Sequence, residues 1–104
     1  MGLLANEKNF VFKKFDKEEE KLAVALRYDE QKDEAPRVIA AGKGHIAEKI
    51  IETAKDADVP LHKDPKLAKS LSNLEIGDNI PPELYEVVAE VLVFINRMDT
   101  LRSR

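Results

Sequence analysis

At Gly42-Lys43-Gly44 the spacing of apolar residues changes from two to about 3.6, and that change restricts the chain to folds that pack helices on a sheet. Upstream, Leu22-Ala23-Val24-Ala25-Leu26-Arg27-Tyr28 places Leu22, Val24 and Leu26 on one face of a strand. Alanine fills the alternate positions, so the other face is predicted to be covered as well. Arg37-Val38-Ile39-Ala40-Ala41 is a second short apolar run, stopped by Gly42, and reads as a buried strand. Downstream, Ile46, Ala47, Ile50, Ile51, Ala54 and Ala57 form one stripe between Lys43 and Asp58, with Glu48, Lys49, Glu52, Lys55 and Asp56 opposite. That pattern predicts an amphipathic helix.

Val59-Pro60-Leu61-His62-Lys63 is a brief extended segment. At Asp64-Pro65 an aspartate can cap free amides and a proline suits the first helical turn. Leu67, Ala68, Leu71 and Leu74 then define the buried side of a short helix, which Gly77-Asp78-Asn79 breaks. Pro81-Pro82-Glu83 opens the last helix, whose stripe is Leu84, Val87, Val88, Val91, Leu92 and Ile95. Tyr85, Ala89, Val93 and Phe94 widen it beyond one core contact. A helix that apolar is either sandwiched or presents a surface to a partner.

The segment from 37 to 63 is expected to form a right-handed crossover with parallel strands, and the earlier strands to add in antiparallel fashion. The predicted fold class is therefore α/β, with a small mixed three- to four-stranded sheet and helices packed around it. Residues 1–15 read as an N-terminal arm, loose over its first eight residues. It can end in a strand, since Phe10 and Phe12 alternate, although Phe15 breaks the period. Residues 16–97 form the domain and 98–104 a C-terminal tail.

Composition narrows the function. The absence of cysteine excludes a disulfide framework, a thiol nucleophile and a zinc knuckle. The most apolar stretch, Val87 to Asn96, falls short of the roughly 20 residues that span a bilayer, so no direct membrane insertion is expected. The first residues lack the basic leader of a secretory signal, and the cytoplasm is the expected compartment. With 17 basic against 20 acidic residues spread along the chain, the basic footprint of a nucleic-acid binder is missing.

A search for chemistry returns no constellation. Gly42-Lys43-Gly44-His45 invites a phosphate, yet the phosphate-loop spacing is absent. The plainer reading is that Gly42 ends a strand and Gly44 lets the chain turn closely into the helix. His45 and His62 lack partners at metal-ligand spacing. Thr53, Ser70, Ser72, Thr100 and Ser103 are not in a nucleophile elbow, and the spacing singles out no pair of carboxylates. The expectation is a binding protein that is not an enzyme, with no cofactor and no metal.

From Leu22 onward the chain resembles the cytoplasmic domain of the FlhB/YscU/SpaS family, the switch proteins of flagellar and type III secretion export in bacteria. The resemblance is carried by Ala23-Val24-Ala25-Leu26-Arg27-Tyr28-Asp29, by Ala35-Pro36-Arg37-Val38-Ile39-Ala40-Ala41-Gly42-Lys43-Gly44, and by Val59-Pro60-Leu61. Pro65-Lys66-Leu67-Ala68, Glu75-Ile76-Gly77 with Ile80-Pro81, and Leu84-Tyr85-Glu86-Val87-Val88-Ala89-Glu90-Val91-Leu92 complete it. Family members carry Asn-Pro-Thr-His ahead of the first of these strands, where the asparagine side chain attacks its own backbone carbonyl and breaks the Asn–Pro bond. Here that place reads Glu18-Glu19-Glu20-Lys21, and none of the asparagines at 6, 9, 73, 79 and 96 precedes a proline. Family members also have a membrane-spanning portion ahead of this domain. The chain therefore resembles the free-standing, non-cleavable FlhB-like proteins.

What the resemblance implies is the docking of export substrates and an influence on substrate selection. It assigns that docking to a shallow apolar patch of Ala35, Pro36, Ala89 and Leu92. The alternative for those residues is that Pro36 shapes a loop while Ala89 and Leu92 fill core. The alternative for the protein is a structural surrogate for the FlhB cytoplasmic domain that binds the membrane export gate and not cargo. Expected partners are export substrates or export-gate proteins, with the protein cytoplasmic or peripheral at the export apparatus.

Overall fold

The structure is a computed structural model that describes residues 7–14, 21–29 and 31–102, with side chains described for 9–13, 21–29 and 31–93. Phe15, the acidic run at 16–20, most of the loose arm and the end of the tail lie outside the described residues, as do the side chains of Phe94 and Ile95. Four strands, β1 (Glu7–Lys14), β2 (Leu22–Asp29), β3 (Arg37–Lys43) and β4 (Leu61–Lys63), form one mixed sheet in the order β3-β2-β1-β4. Three α-helices, α1 (His45–Asp56), α2 (Pro65–Leu71) and α3 (Tyr85–Arg102), pack around it, with a single 3-10 turn at Pro82–Leu84 leading into α3. This is the mixed α/β architecture that the change of period predicts.

The strand that ends the expected arm is an inner strand. β1 pairs antiparallel with β2 along its whole length, from Glu7 opposite Asp29 to Lys14 opposite Leu22. On its other side it pairs parallel with β4, Val11 opposite Leu61 to Lys13 opposite Lys63. Burial explains the position: Phe10 and Phe12 face one core while Val11 faces the other, so β1 is covered on both sides. β3 and β4 do run in the same direction, as the crossover predicts, but β2 and β1 lie between them. At the far end, α3 continues past residue 97 as far as Arg102.

Each face of the sheet has its own apolar cluster, set by the two-residue alternation of the strands. On one face Phe10, Phe12, Val24, Leu26 and Val38 pack with Leu67, Ala68 and Leu71 of α2, with Val88 and Val91 of α3, and with Ala35 and Ile80. On the other, Val11, Ala23 and Ala25 pack with Ala47, Ile51 and Ala54 of α1. Alanine on both partners lets the helix lie close to the strands. The approach is tight at the helix start, where a Cβ on Gly42 would fall 2.1 Å from Cγ2 of Ile46.

Gly44 caps α1 at φ 59°, ψ −125°, a conformation that side chains rarely adopt. Its N–H donates to the Lys21 carbonyl at 3.0 Å. Gly44 therefore does what the plainer reading of Gly42-Lys43-Gly44 expects, whereas β3 does not end at Gly42: it runs on, with Gly42 opposite Ala23, and ends at Lys43 opposite Leu22. Asp64 caps α2, its Oδ1 accepting from the Leu67 N–H at 3.1 Å, with Pro65 in the first turn.

Candidate functional site

The site implied by Ala35, Pro36, Ala89 and Leu92 depends on how α3 is rolled against the sheet. Residues advance by about 100° around a helix, so Val88 and Val91, both buried, fix the inward direction. Leu92 lies at the edge of that contact, half-buried and packed on the same cluster that contains Ala35. Beyond Leu92 runs a second apolar stripe of Tyr85, Ala89 and Val93, each four residues from the next. Ala89 is exposed, as are Tyr85 at 44% and Val93 at 55%. Exposed Glu86 and Glu90 close the circumference.

Of the four expected site residues, Ala89 is exposed, Leu92 is half-buried, and Ala35 and Pro36 are buried. Ala89 does not fill core, which removes one of the alternatives for it. Pro36 shapes a junction: its carbonyl accepts from the Ile80 N–H at 2.9 Å. In the same segment the Gly77 N–H donates to the Val38 carbonyl and the Val38 N–H to the Asp78 carbonyl, both at 2.8 Å. Residues 77–80 thus run along the outer edge of β3 and lead Ile80 into the core. Of the four, Ala35 and Pro36 are thus buried, and the accessible surface belongs to Ala89 and Leu92 of α3.

A polar cluster ties the entry of β2 to the start of α1. Lys21 Nζ forms an ion pair with Glu48, and His45 Nδ1 lies 3.2 Å from Glu48 Oε1. The hydrogen bond from Lys21, and after it the one with His45, hold the Glu48 carboxyl below the ordinary glutamate range. His62 belongs elsewhere, its ring edge-on to Phe12 at 5.8 Å and its Nε2 4.0 Å from Asp64 Oδ2. Among the described residues no group of three or more histidines and carboxylates is placed to hold a metal ion, and no helix is long and apolar enough to cross a membrane.

Sequence reasoning missed one surface. On the α1 face, an open groove of about 480 Å³ runs between the helix and the sheet, lined among others by Ile39, Ala40, Ile46, Ile50 and Thr53. Of the six-residue stripe of α1, Ala47, Ile51 and Ala54 are buried, while Ile46 is 60% exposed and Ala57 is exposed. Beside Val11 the strands below offer Ala23, Ala25 and Ala40, too short to fill the space under so wide a stripe. A wide helix stripe over alanine strands was the available signal.

The sequence model of the FlhB HrpN YscU SpaS family matches residues 19–95. The chain belongs to that family. It is 56% identical to the protein YlqH of Bacillus subtilis (strain 168) over 77 residues, covering 74% of this chain and 83% of YlqH. To the flagellar biosynthetic protein FlhB of Aquifex aeolicus (strain VF5) it is 43% identical over 75 residues, covering 71% of this chain and 21% of FlhB. The chain thus spans about a fifth of the length of the FlhB relatives it matches. The fold agrees with the crystal structure of the FlhB cytoplasmic domain from Shewanella putrefaciens, at a TM-score of 0.78 and 28% identity over 88% of this chain and 70% of that one. It also agrees with an EscU C-terminal domain, at a TM-score of 0.74 and 30% identity over 82% of this chain and 75% of EscU's.

Within the FlhB HrpN YscU SpaS family, this member has Glu18-Glu19-Glu20-Lys21 where the cleavage motif is expected and contains no Asn–Pro bond. Self-cleavage by that route lacks both its nucleophile and its scissile bond. Lys21, the last residue of that stretch, is anchored through its carbonyl to Gly44 and through its ammonium to Glu48.

Proposed function

We propose that this chain is a protein-docking module of a flagellar or type III export apparatus, working in the cytoplasm, and that it receives export substrates on α3 and influences their selection. Family membership supports the setting, and one structural observation carries the docking role. The stripe of Tyr85, Ala89 and Val93 stays exposed beside half-buried Leu92, so a single helix offers a continuous apolar strip with firm core beneath it. Ala35 and Pro36 hold the strip in place by fixing the 77–80 segment. A flat strip of four side chains suits weak, reversible capture of an unfolded segment, because a stable interface takes about 20–30 residues a side.

The test is a titration of the purified protein with the disordered N-terminal segment of a hook-class export substrate, repeated with Ala89→Asp. Saturable binding is expected, and the substitution should weaken it by about tenfold, or about 1.4 kcal/mol, with the circular dichroism spectrum unchanged. Absence of binding at concentrations approaching millimolar refutes cargo docking. The same titration against the export-gate membrane proteins then decides whether the domain serves as a surrogate for the FlhB cytoplasmic domain.

A further inference from the structure

The groove on the α1 face lies across the sheet from α3 and has no part in the docking role just proposed. Its apolar walls come from two sources. Ile46 and Ile50 project from the flank of α1 that turns away from the core stripe, while Ile39 and Ala40 rise from β3. The register explains why two consecutive residues of β3 line one groove. Ala25 pairs with Ala40 but Leu26 pairs with Val38, so Ile39 is the extra residue of a bulge, and bulges re-aim a side chain toward the face where it is used. Without that bulge Ile39 would point to the α2 and α3 side.

Among the described residues that line this groove, Lys49 alone is charged. Beyond the lining, Arg37 of β3 stands opposite Arg27 of β2; Arg27 shares its face with Ala25 by alternation and is engaged by another group, which leaves Arg37 as the second cation offered on the groove's side of the sheet. Apolar walls with a cationic frame fit one kind of occupant. A plain alkyl chain would leave the cations unused, and a basic segment would be repelled by them. The trough is open to solvent along its length, and its volume lies within the roughly 300–1,000 Å³ of ligand pockets. It can seat the side chains from one side of an extended peptide while the rest of that peptide stays in water.

We propose that the α1 groove is a second docking surface, whose occupant is an extended peptide segment that alternates aliphatic and acidic side chains. Aliphatic groups enter between Ile39, Ile46 and Ile50, and the carboxylates meet Lys49 and Arg37. The domain then has two binding faces, one on each side of the sheet, so that two segments can be held without competing.

The probe is a fluorescein-labelled ten-residue peptide alternating leucine with glutamate, compared with a leucine–lysine peptide of the same length and with decanoate. Saturable binding of the acidic peptide by anisotropy is expected, together with amide shifts on 15N-labelled protein at Ile39, Ala40, Lys49 and Thr53. Ile46→Asp and Lys49→Glu should each weaken it by tenfold or more, and raised salt should weaken it further. Lys66→Glu, the same charge change on the opposite side of the sheet, should leave it in place. Three results overturn the proposal: equal binding of the lysine peptide, shifts confined to α3, or no binding approaching millimolar. A fourth is binding of decanoate as tight as that of the peptide, which makes the groove a site for small apolar ligands. A fifth is a dimer in sedimentation equilibrium that Ile46→Asp dissociates, which makes it a contact between two copies of this chain. The hook-class titration can fail without affecting any of these readouts, because its variant, Ala89→Asp, lies on α3 across the sheet from this groove.

Discussion

Phe12→Ala tests the position of β1 and, with it, the architecture of the sheet. Phe12 is fully buried, with Phe10 edge-on at 5.8 Å on one side and His62 edge-on at 5.8 Å on the other. If β1 were the end of a peripheral arm, truncating this ring would cost about 1 kcal/mol or less, as at an ordinary surface site. At an inner strand it removes a ring from the larger core, and burial loss plus the cavity left behind cost about 3–5 kcal/mol. The lost edge-to-face contacts place it in the upper half of that range. Domains of this size are stable by roughly 5–15 kcal/mol, so the variant stays folded only if the parent sits high in that window. With a urea slope of roughly 1–3 kcal/mol/M, the unfolding midpoint should drop by about 2 M. Phe12→Leu, which keeps most of the volume, should recover more than half of the loss. Urea unfolding followed by circular dichroism measures all three proteins. A loss under about 1 kcal/mol for Phe12→Ala would mean that β1 is not where the structure puts it.

Gly44→Ala forces a Cβ into a backbone conformation reserved for glycine and should cost about 1–3 kcal/mol. Gly42→Ala should be comparably damaging through its collision with Ile46, and Ile46→Ala should relieve only the Cγ2 part of it, because the Cβ of residue 46 would still lie 2.7 Å away, so a double-mutant cycle by thermal unfolding should show partial coupling for that pair. Asp64→Ala removes the cap of α2 and should cost about 0.5–2 kcal/mol in urea unfolding, while Asp64→Ser should recover most of it. Glu48 has a lowered folded-state pKa, so its contribution is present above the unfolded-state value and lost as pH falls through the folded-state value. An NMR titration of the Glu48 carboxyl should find its midpoint below the ordinary glutamate value, and Lys21→Gln should move it upward. An unchanged midpoint in that variant would show that Lys21 is not its main partner.

The helices were legible because their signals are local. The stripe of α1, the Asp64-Pro65 start of α2 and the double proline before α3 each lie within one or two turns of what they specify. β2 was legible for the same reason, its alternation carried by residues 22–26. β1 was harder because its two faces are both buried: in Asn9-Phe10-Val11-Phe12 the apolar residues run consecutively, and the alternation that marks a half-exposed strand is lost. Its place between β2 and β4 depends on pairings some fifty residues apart along the chain, and three residues of β4 are too few to advertise a partner.

At the candidate site the exposed role of Ala89 followed from the breadth of the α3 stripe, once the roll of the helix was known. The burial of Ala35 and Pro36 did not, because it is imposed by residues 77–80 folding back on β3 from forty residues further along. The α1 groove was hidden by a different effect. A periodic stripe states which side of a helix is apolar and is silent on how much of that side the strands beneath can reach.

The strand order β3-β2-β1-β4 also bears on how the molecule is made. The two inner strands are neighbours in the chain and can zip into a hairpin before β3 and β4 have left the ribosome. β3 then joins one flank and β4 the other, in the order of their synthesis. No later strand has to open a pair already formed, so the sheet grows outward from its inner pair, and the edge of β1 stays open until β4 arrives.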